Sequence, residues 1–343
     1  MSEHTLRRTR LLVVATAVLF IAAACGKSST TSSSGGTAST GAGSSKPIKV
    51  ALVAPSATND LAFTQSMFDA LKRLKSKYNL DIAVSDNKFV VDDAANAIRT
   101  YATQGYSLVI AHGSQFGGTV QQLAPQFPKV SFAWGTAGDT FGQSNVFAYQ
   151  AASDQGGYVE GVMGAALSKS HVIGIVGPIE VGDAKLYVDG FKAGAKATDP
   201  SIDLRVNYTG SFSDVGLASE AARSFIAAKA DVMTGTAQMV VGAIGVAKTS
   251  NVAWFGTQSN QTSLAPNVVV ASQVYHWEVA LTQIFDSIRK GTLGGQQYTI
   301  DLKNGGEALE YNPAYSLPSD VKAKADAAIQ GIKDGSITTG ASG

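Results

Sequence analysis

The sequence predicts an α/β fold: two doubly wound lobes joined by a hinge and facing one central cleft. Short apolar, β-rich runs alternate with segments of helical periodicity, the pattern of parallel sheets covered on both faces. That alternation runs through to about residue 167 and then restarts at about 171, which points to two sheets. Glycine is abundant, at 36 of 343 residues, and glycine suits the many tight turns that such a fold needs between strand and helix.

Residues 48–54 read as a buried strand. Over 60–77, Phe63, Met67, Ala70, Leu71 and Leu74 recur at helical spacing. Strand 81–84, helix 92–104, strands 107–111, 130–134 and 145–150, and helix 154–167 follow. The second series comprises strand 171–176, helix 183–197, strand 204–208, helix 215–228, strand 231–234, helix 242–248, strands 252–256 and 268–274, and a helix over 277–289. The expected division gives the first lobe residues 47–151 plus about 277–311, and the second 152–276 plus about 312–340.

The first 46 residues read as an address and a tether. Arg7, Arg8 and Arg10 form a basic start, and residues 11–23 form an apolar run. That run has the length of a signal-peptide core and falls short of the roughly 20 residues that a membrane-spanning helix needs. Ala22, Ala23 and Ala24 then precede Cys25, the single cysteine of the chain. Ile21-Ala-Ala-Ala-Cys25 looks like a bacterial lipobox, with Ile21 where Leu is usual. The expectation is a signal peptide over 1–24, thioether lipidation of Cys25, and anchorage to the outer face of the cell membrane. Residues 26–45 are nearly all Ser, Thr, Gly and Ala; such a run cannot bury a core and behaves as a flexible linker.

Charge and motifs exclude several function classes. Removal of residues 1–24 takes away Arg7, Arg8, Arg10 and Glu3 and leaves 24 basic against 25 acidic residues. No basic patch is present, so nucleic acid is not an expected partner. A lone cysteine excludes an intrachain disulfide and a cysteine-based zinc site. No Gly-x-Ser-x-Gly elbow, Walker A loop or Gly-x-Gly-x-x-Gly occurs. His112, His171 and His276 lack metal-ligand spacing and read as packed or surface histidines. Asp92 and Asp93 open a predicted helix, where carboxylates favour the positive end of the dipole. No catalytic residue, metal or cofactor is expected.

What remains is a set of polar and aromatic residues at strand ends, where ligands of doubly wound sheets sit. Asp60, Phe63 and Thr64 follow the first strand, and Ser114 and Phe116 the third. Gln258 and Asn260 follow the strand at 252–256, and Tyr275 and Trp277 the strand at 268–274. A few placed polar groups among apolar and aromatic ones is the composition of a small-molecule pocket.

Several of these segments resemble, in order, those of the basic membrane protein (Bmp/Med/PnrA-like) substrate-binding lipoproteins of ABC importers. Phe63-Thr-Gln-Ser-Met-Phe-Asp-Ala-Leu71 is similar to that family's Phe-Asn-Gln-Ser-x-x-Glu-Gly-Leu helix start. Asn145-Val-Phe-Ala-Tyr-Gln150 with Gly157-Tyr-Val-Glu-Gly161 is similar to its Asn-Val-x-x-Tyr and Gly-x-Tyr-x-x-Gly segments. Gly190-Phe-Lys-Ala-Gly194, Asp199-Pro200, Gly210-Ser-Phe-Ser-Asp214 and Ala230-Asp-Val232 continue the series.

The resemblance implies a periplasmic-binding-protein-like type I fold, a solute held between the lobes, and ABC permease subunits as partners of a monomer. The family's purine-nucleoside binders stack the base between aromatics and hold the ribose with an Asp and a Lys. By resemblance Phe63 and Tyr187 are the stacking candidates, with Trp277 a further face. The family's Gly-Val-Asp-Ser-Asp-Gln turn corresponds to Gly256-Thr-Gln-Ser-Asn-Gln261, so both acids become the amides Gln258 and Asn260. Its Ser-x-x-Lys-Arg segment corresponds to Ser272-Gln-Val-Tyr-His276, so the Lys becomes Tyr275. An amide offers both an acceptor and a donor, which suits the edge of a purine-like heterocycle better than a ribose. A free base is therefore expected in preference to its nucleoside. A ligand-sensing lipoprotein that works with a membrane signalling protein is the rival reading; a neighbouring gene for a permease or for a sensor separates the two.

The lipid anchor has a direct test. Full-length chain expressed in its host is expected in the membrane fraction, and Cys25→Ser is expected to lose both processing and membrane association. A Cys25→Ser chain that is processed and fractionates like wild type would contradict the anchor.

Overall fold

The computed structural model describes residues 46–340; the expected signal peptide, Cys25 and most of the tether lie outside them. The first sheet takes its strands from β1 (Ile48–Val53), β2 (Leu80–Ser85), β3 (Leu108–His112), β4 (Ser131–Gly135), β5 (Val146–Ala151) and β11 (Gln297–Ile300). Its order is β11-β5-β4-β3-β1-β2, and every pairing is parallel. The second sheet comprises β6 (Val172–Gly177), β7 (Asp203–Tyr208), β8 (Val232–Gly235), β9 (Ala253–Gly256), β10 (Val269–Tyr275) and β12 (Glu307–Tyr311). Its order is β12-β10-β9-β8-β6-β7, parallel except for the antiparallel β10–β12 pair. Each sheet therefore repeats one winding, with the chain reversing direction between its first and third strands.

Helices cover both faces. The first lobe carries α1 (Phe63–Tyr78), α2 (Val91–Thr103), α3 (Gly117–Leu123) and α8 (Glu278–Arg289). The second carries α4 (Ser153–Leu167), α5 (Gly182–Thr198), α6 (Val215–Ala227), α7 (Val240–Ser250) and α9 (Ser319–Asp334). Two cores flank each sheet. In the first lobe, Val50 and Leu52 face α1 and α8, whereas Ala51 and Val53 face α2 and α3. This is the period-2 alternation of a strand buried on both sides.

The chain crosses between lobes three times, after β5, after β10 and after β11. The third crossing corrects the expected boundary near 311. Glu307–Tyr311 adds to β10 with Ala271 opposite Tyr311 and Tyr275 opposite Glu307, so the return to the second lobe comes between Ile300 and Glu307. The α8 helix lies on α1, tied by the Arg73–Glu278 ion pair at 2.7 Å and by the Tyr78 hydroxyl donating to Asp286 at 2.9 Å.

The helices α4 and α5 pack backbone to backbone, and this close approach explains two glycine motifs. A Cβ on Gly161 would lie 2.1 Å from the Phe191 carbonyl oxygen, and one on Gly194 would lie 2.0 Å from that of Tyr158. Only hydrogen fits at either place.

A glycine pair tests that packing. Alanine for glycine inside a helix normally stabilises by roughly 0.5–1 kcal/mol. Gly245, exposed on α7 with nothing near its virtual Cβ, should follow that rule. Gly194→Ala should instead destabilise, by about 1–3 kcal/mol as for other overpacked sites. Urea denaturation of the two variants should thus give opposite signs; the same sign for both would contradict the close packing.

Candidate functional site

Where parallel strands end, the helices no longer cover them, and the loops after both sheets meet there. Pro55 and Phe63 follow β1, Phe89 follows β2, Ser114 follows β3 and Thr136 follows β4; all five line one cleft. From the second lobe come Asp183 after β6, Phe212 after β7, Ala237 after β8 and Gln258 after β9. The cleft holds about 430 Å³ of empty space, open mouth included. It sits at the point in each sheet where the strand order reverses, the expected ligand position for such sheets.

The lobes touch across it. The Thr136 hydroxyl donates to Asp183 Oδ1 at 3.0 Å, and the Ser259 hydroxyl donates to the Ala62 carbonyl at 2.9 Å. At the mouth the rings of Phe89 and Phe212 approach to 6.5 Å between centroids.

The wall on the first lobe is a stack of rings. Phe63 lies flat on His112, with centroids 3.8 Å apart and planes within 8°. His112 Nε2 faces the Phe63 carbonyl at 3.2 Å, and Nδ1 meets the Tyr149 hydroxyl at 2.8 Å. A carbonyl only accepts, so Nε2 carries the hydrogen and Nδ1 accepts from Tyr149. Burial holds the His112 pKa down to about 3, while the Phe63 carbonyl pulls the other way. The ring beneath Phe63 is thus a neutral imidazole at physiological pH. Trp277 stands edge-on to both His112 and Tyr149 and donates its Nε1–H to Ser66 at 3.0 Å.

The wall on the second lobe is polar. Asp183 keeps some exposure as a residue, but its carboxyl is enclosed. Burial raises its pKa; the Thr136 hydroxyl, the Gln258 amide and the Tyr275 hydroxyl oppose the rise by donating to the charged form. The Gln258 and Tyr275 contacts to Oδ2 are long, at 3.5 and 3.4 Å. The other end of the Gln258 amide, Oε1, is buried without a hydrogen-bond partner. Ala237 and Gln258 both adopt left-handed backbone, at φ 76° and 68°. Non-glycine residues in that region are costly and concentrate at ligand sites.

Of the ten residues expected at the ligand, Phe63, Ser114 and Gln258 line this cleft. The other seven do not. Tyr187 is fully buried in the second lobe, its hydroxyl donating to Glu160 at 2.6 Å and meeting Thr234. It lies one helical turn past Asp183 on α5, so the same helix face that brings Asp183 to the cleft carries Tyr187 into the core. Trp277 and Phe116 are likewise fully buried, Trp277 behind the ring stack and Phe116 among the apolar side chains under α2.

Asp60 spends its oxygens on the start of α1, accepting from the backbone N–H of Ala62, Thr64 and Gln65 and from the Ser56 hydroxyl. Thr64 is buried against Ser56. Asn260 is exposed and donates to Glu310 at 2.7 Å. It shares an outer groove with Tyr275, whose ring is buried and whose hydroxyl reaches Asp183 from behind. Asp183, Phe89 and Phe212 were missing from the expected set, although each follows a strand end just as Phe63 does.

Fold and cleft together are those of a two-lobed solute-binding protein, and comparison with known proteins gives the family. Residues 48–336 match the model of the PnrA-like ABC transporter substrate-binding proteins, the Bmp family, and the chain belongs to it. Its members are binding proteins and not enzymes. A purine-binding protein of Brucella abortus is 25% identical over 298 residues, covering 86% of this chain and 84% of the relative. An ABC transporter nucleoside-binding protein of Lactococcus lactis is 26% identical over 324 residues, covering 87% and 91%. Among solved structures, a solute-binding protein of an ABC transporter system from Conexibacter woesei superposes with a TM-score of 0.71 at 26% identity, covering 85% of this chain and 98% of its own. One from Aeropyrum pernix reaches 0.76 at 17% identity, over 85% and 93%, and shows the shared fold. Among the described residues no helix is long and apolar enough to cross a membrane.

Proposed function

We propose that this chain captures a purine-like heterocycle, free or as its nucleoside, and delivers it to the permease of an ABC importer. One observation carries the reading: two aromatic rings from opposite lobes, Phe63 and Phe212, line the same cleft as a glutamine with an unsatisfied buried acceptor. A flat ring entering between the lobes would cover the open face of Phe63 and supply the donor that Gln258 lacks. Closure of the lobes over it would engage residues of both, so the closed form is the one that ligand favours. Relatives named for binding purines and nucleosides support this ligand class. The lipobox-like segment before Cys25 supports anchorage on the outer face of the membrane, close to a permease. The sensing alternative draws on a Bacillus subtilis relative, 26% identical over 258 residues, named a transcriptional activator.

Side-chain truncation tests the site. Stacking of a base on an aromatic ring contributes about 1–3 kcal/mol, and about 1.4 kcal/mol is a decade in affinity. Phe63→Ala, Phe212→Ala and Gln258→Ala should each weaken purine binding in calorimetric titrations by roughly tenfold or more. His171→Ala, which removes an exposed side chain paired with Asp199, should bind like wild type. With all variants folded by circular dichroism, wild-type affinity in Phe63→Ala and Phe212→Ala would place the ligand elsewhere.

A further inference from the structure

The turn at 256–261 carries amides, yet a carboxyl reaches the cleft from a different element, the first turn of α5. Asp183 and Gln258 line the cleft side by side. The Gln258 amide nitrogen points at Asp183 Oδ2, 3.5 Å away. Turning that amide around would set its oxygen against a carboxylate, so the neighbour fixes Oε1 as the acceptor left over. That oxygen is buried with no hydrogen-bond partner, on a side chain only 3% exposed.

The hydroxyls beside the pair are committed. Thr136 donates to Oδ1 at 3.0 Å, and Tyr275 points at Oδ2 from 3.4 Å. An ionised carboxylate only accepts, with room for about four donors over its two oxygens. Two residues that line the cleft side by side thus carry acceptor next to acceptor. A buried acceptor left without a donor costs roughly 1–3 kcal/mol, so a ligand that supplies donors is favoured and one that opposes a lone pair is penalised.

Purines differ in this respect. The ring N1–H and 2-amino group of guanine are adjacent donors. On that edge hypoxanthine offers N1–H alone. Adenine presents its amino group beside a ring-nitrogen lone pair on either edge. We propose that Asp183 and Gln258 together select the donor–donor edge of a 2-amino-6-oxopurine, so that guanine is bound in preference to adenine. This rests on the purine reading above and adds to it which purine.

Equilibrium dialysis with radiolabelled guanine, hypoxanthine and adenine tests it on wild type, Asp183→Asn and Gln258→Met. Wild type should bind guanine about tenfold or more tightly than adenine, the discrimination expected of a matched pair of hydrogen bonds, with hypoxanthine between. Asp183→Asn keeps the shape and an acceptor for Thr136 but puts a donor in the wall, and should bring the guanine-to-adenine ratio below about threefold while adenine is still bound. Gln258→Met should shift the ratio the same way, and decides the question alone if Asp183→Asn does not fold. Wild-type protein that binds adenine as tightly as guanine overturns the inference and leaves the purine reading standing. So does a ratio unchanged in the folded variants, because a merely structural role would weaken all three bases alike. Failure to bind any of the three bases overturns this inference and the free-base reading together; guanosine, inosine and adenosine run alongside then show whether a purine site survives.

Discussion

A parallel sheet with helices on both faces leaves one place for chemistry, the loops beyond the carboxyl ends of its strands. This chain obeys that constraint twice. It folds two sheets with the same winding, crosses between them three times, and brings both sets of strand ends to one cleft. Pro55, Phe63, Ser114, Thr136, Asp183 and Gln258 follow five separate strands and converge because each lies past the end of a parallel strand. Each lobe offers a ring, Phe63 and Phe212, and the second adds the acceptors of Asp183 and Gln258.

Each wall is held from behind by its own core. Under Phe63 the neutral His112 ring, Tyr149 and the edge of Trp277 form a continuous aromatic support. Side chains locked by packing in this way lose little further freedom when a ligand lands on them, which is how preorganisation raises affinity. Behind Asp183, α5 packs so closely on α4 that only glycine fits at Gly161 and Gly194. The helix that carries the carboxyl is thereby fixed against the lobe. The Thr136–Asp183 bond is one of the few direct contacts that span the cleft, and it lies where a ligand would be gripped.

Much of this was legible in the sequence. Alternating apolar runs and helical segments gave two doubly wound lobes, and the strand-end rule named Phe63, Ser114 and Gln258, which line the cleft. The same rule applies to Phe212, four residues past β7, and to Asp183, six past β6; both belonged to segments read as helix starts or family motifs. Tyr187, Phe116 and Trp277 lie buried away from the cleft lining for one physical reason. Periodicity shows that an aromatic lies near a helix start but not whether it points outward to the cleft or down into the core, and large aromatics repay burial most. Gln258 and Asn260, two residues apart in a turn, end up buried in the cleft and exposed outside it; a turn has no fixed period from which to tell them apart. The strand Glu307–Tyr311 was missed because it is short and antiparallel at a sheet edge, with its outer residues only half-buried, and so lacks the continuous apolar run of the buried strands.

The central claim is that the cleft holds a flat purine-like ring between the two lobes. It is tested most directly by identifying what the protein carries when purified from its host without denaturation. Mass spectrometry of the small molecules released on unfolding should find a purine base or nucleoside, in stoichiometric amount and absent from Phe63→Ala protein prepared in parallel. A sugar, an amino acid or a peptide released in its place would contradict the account.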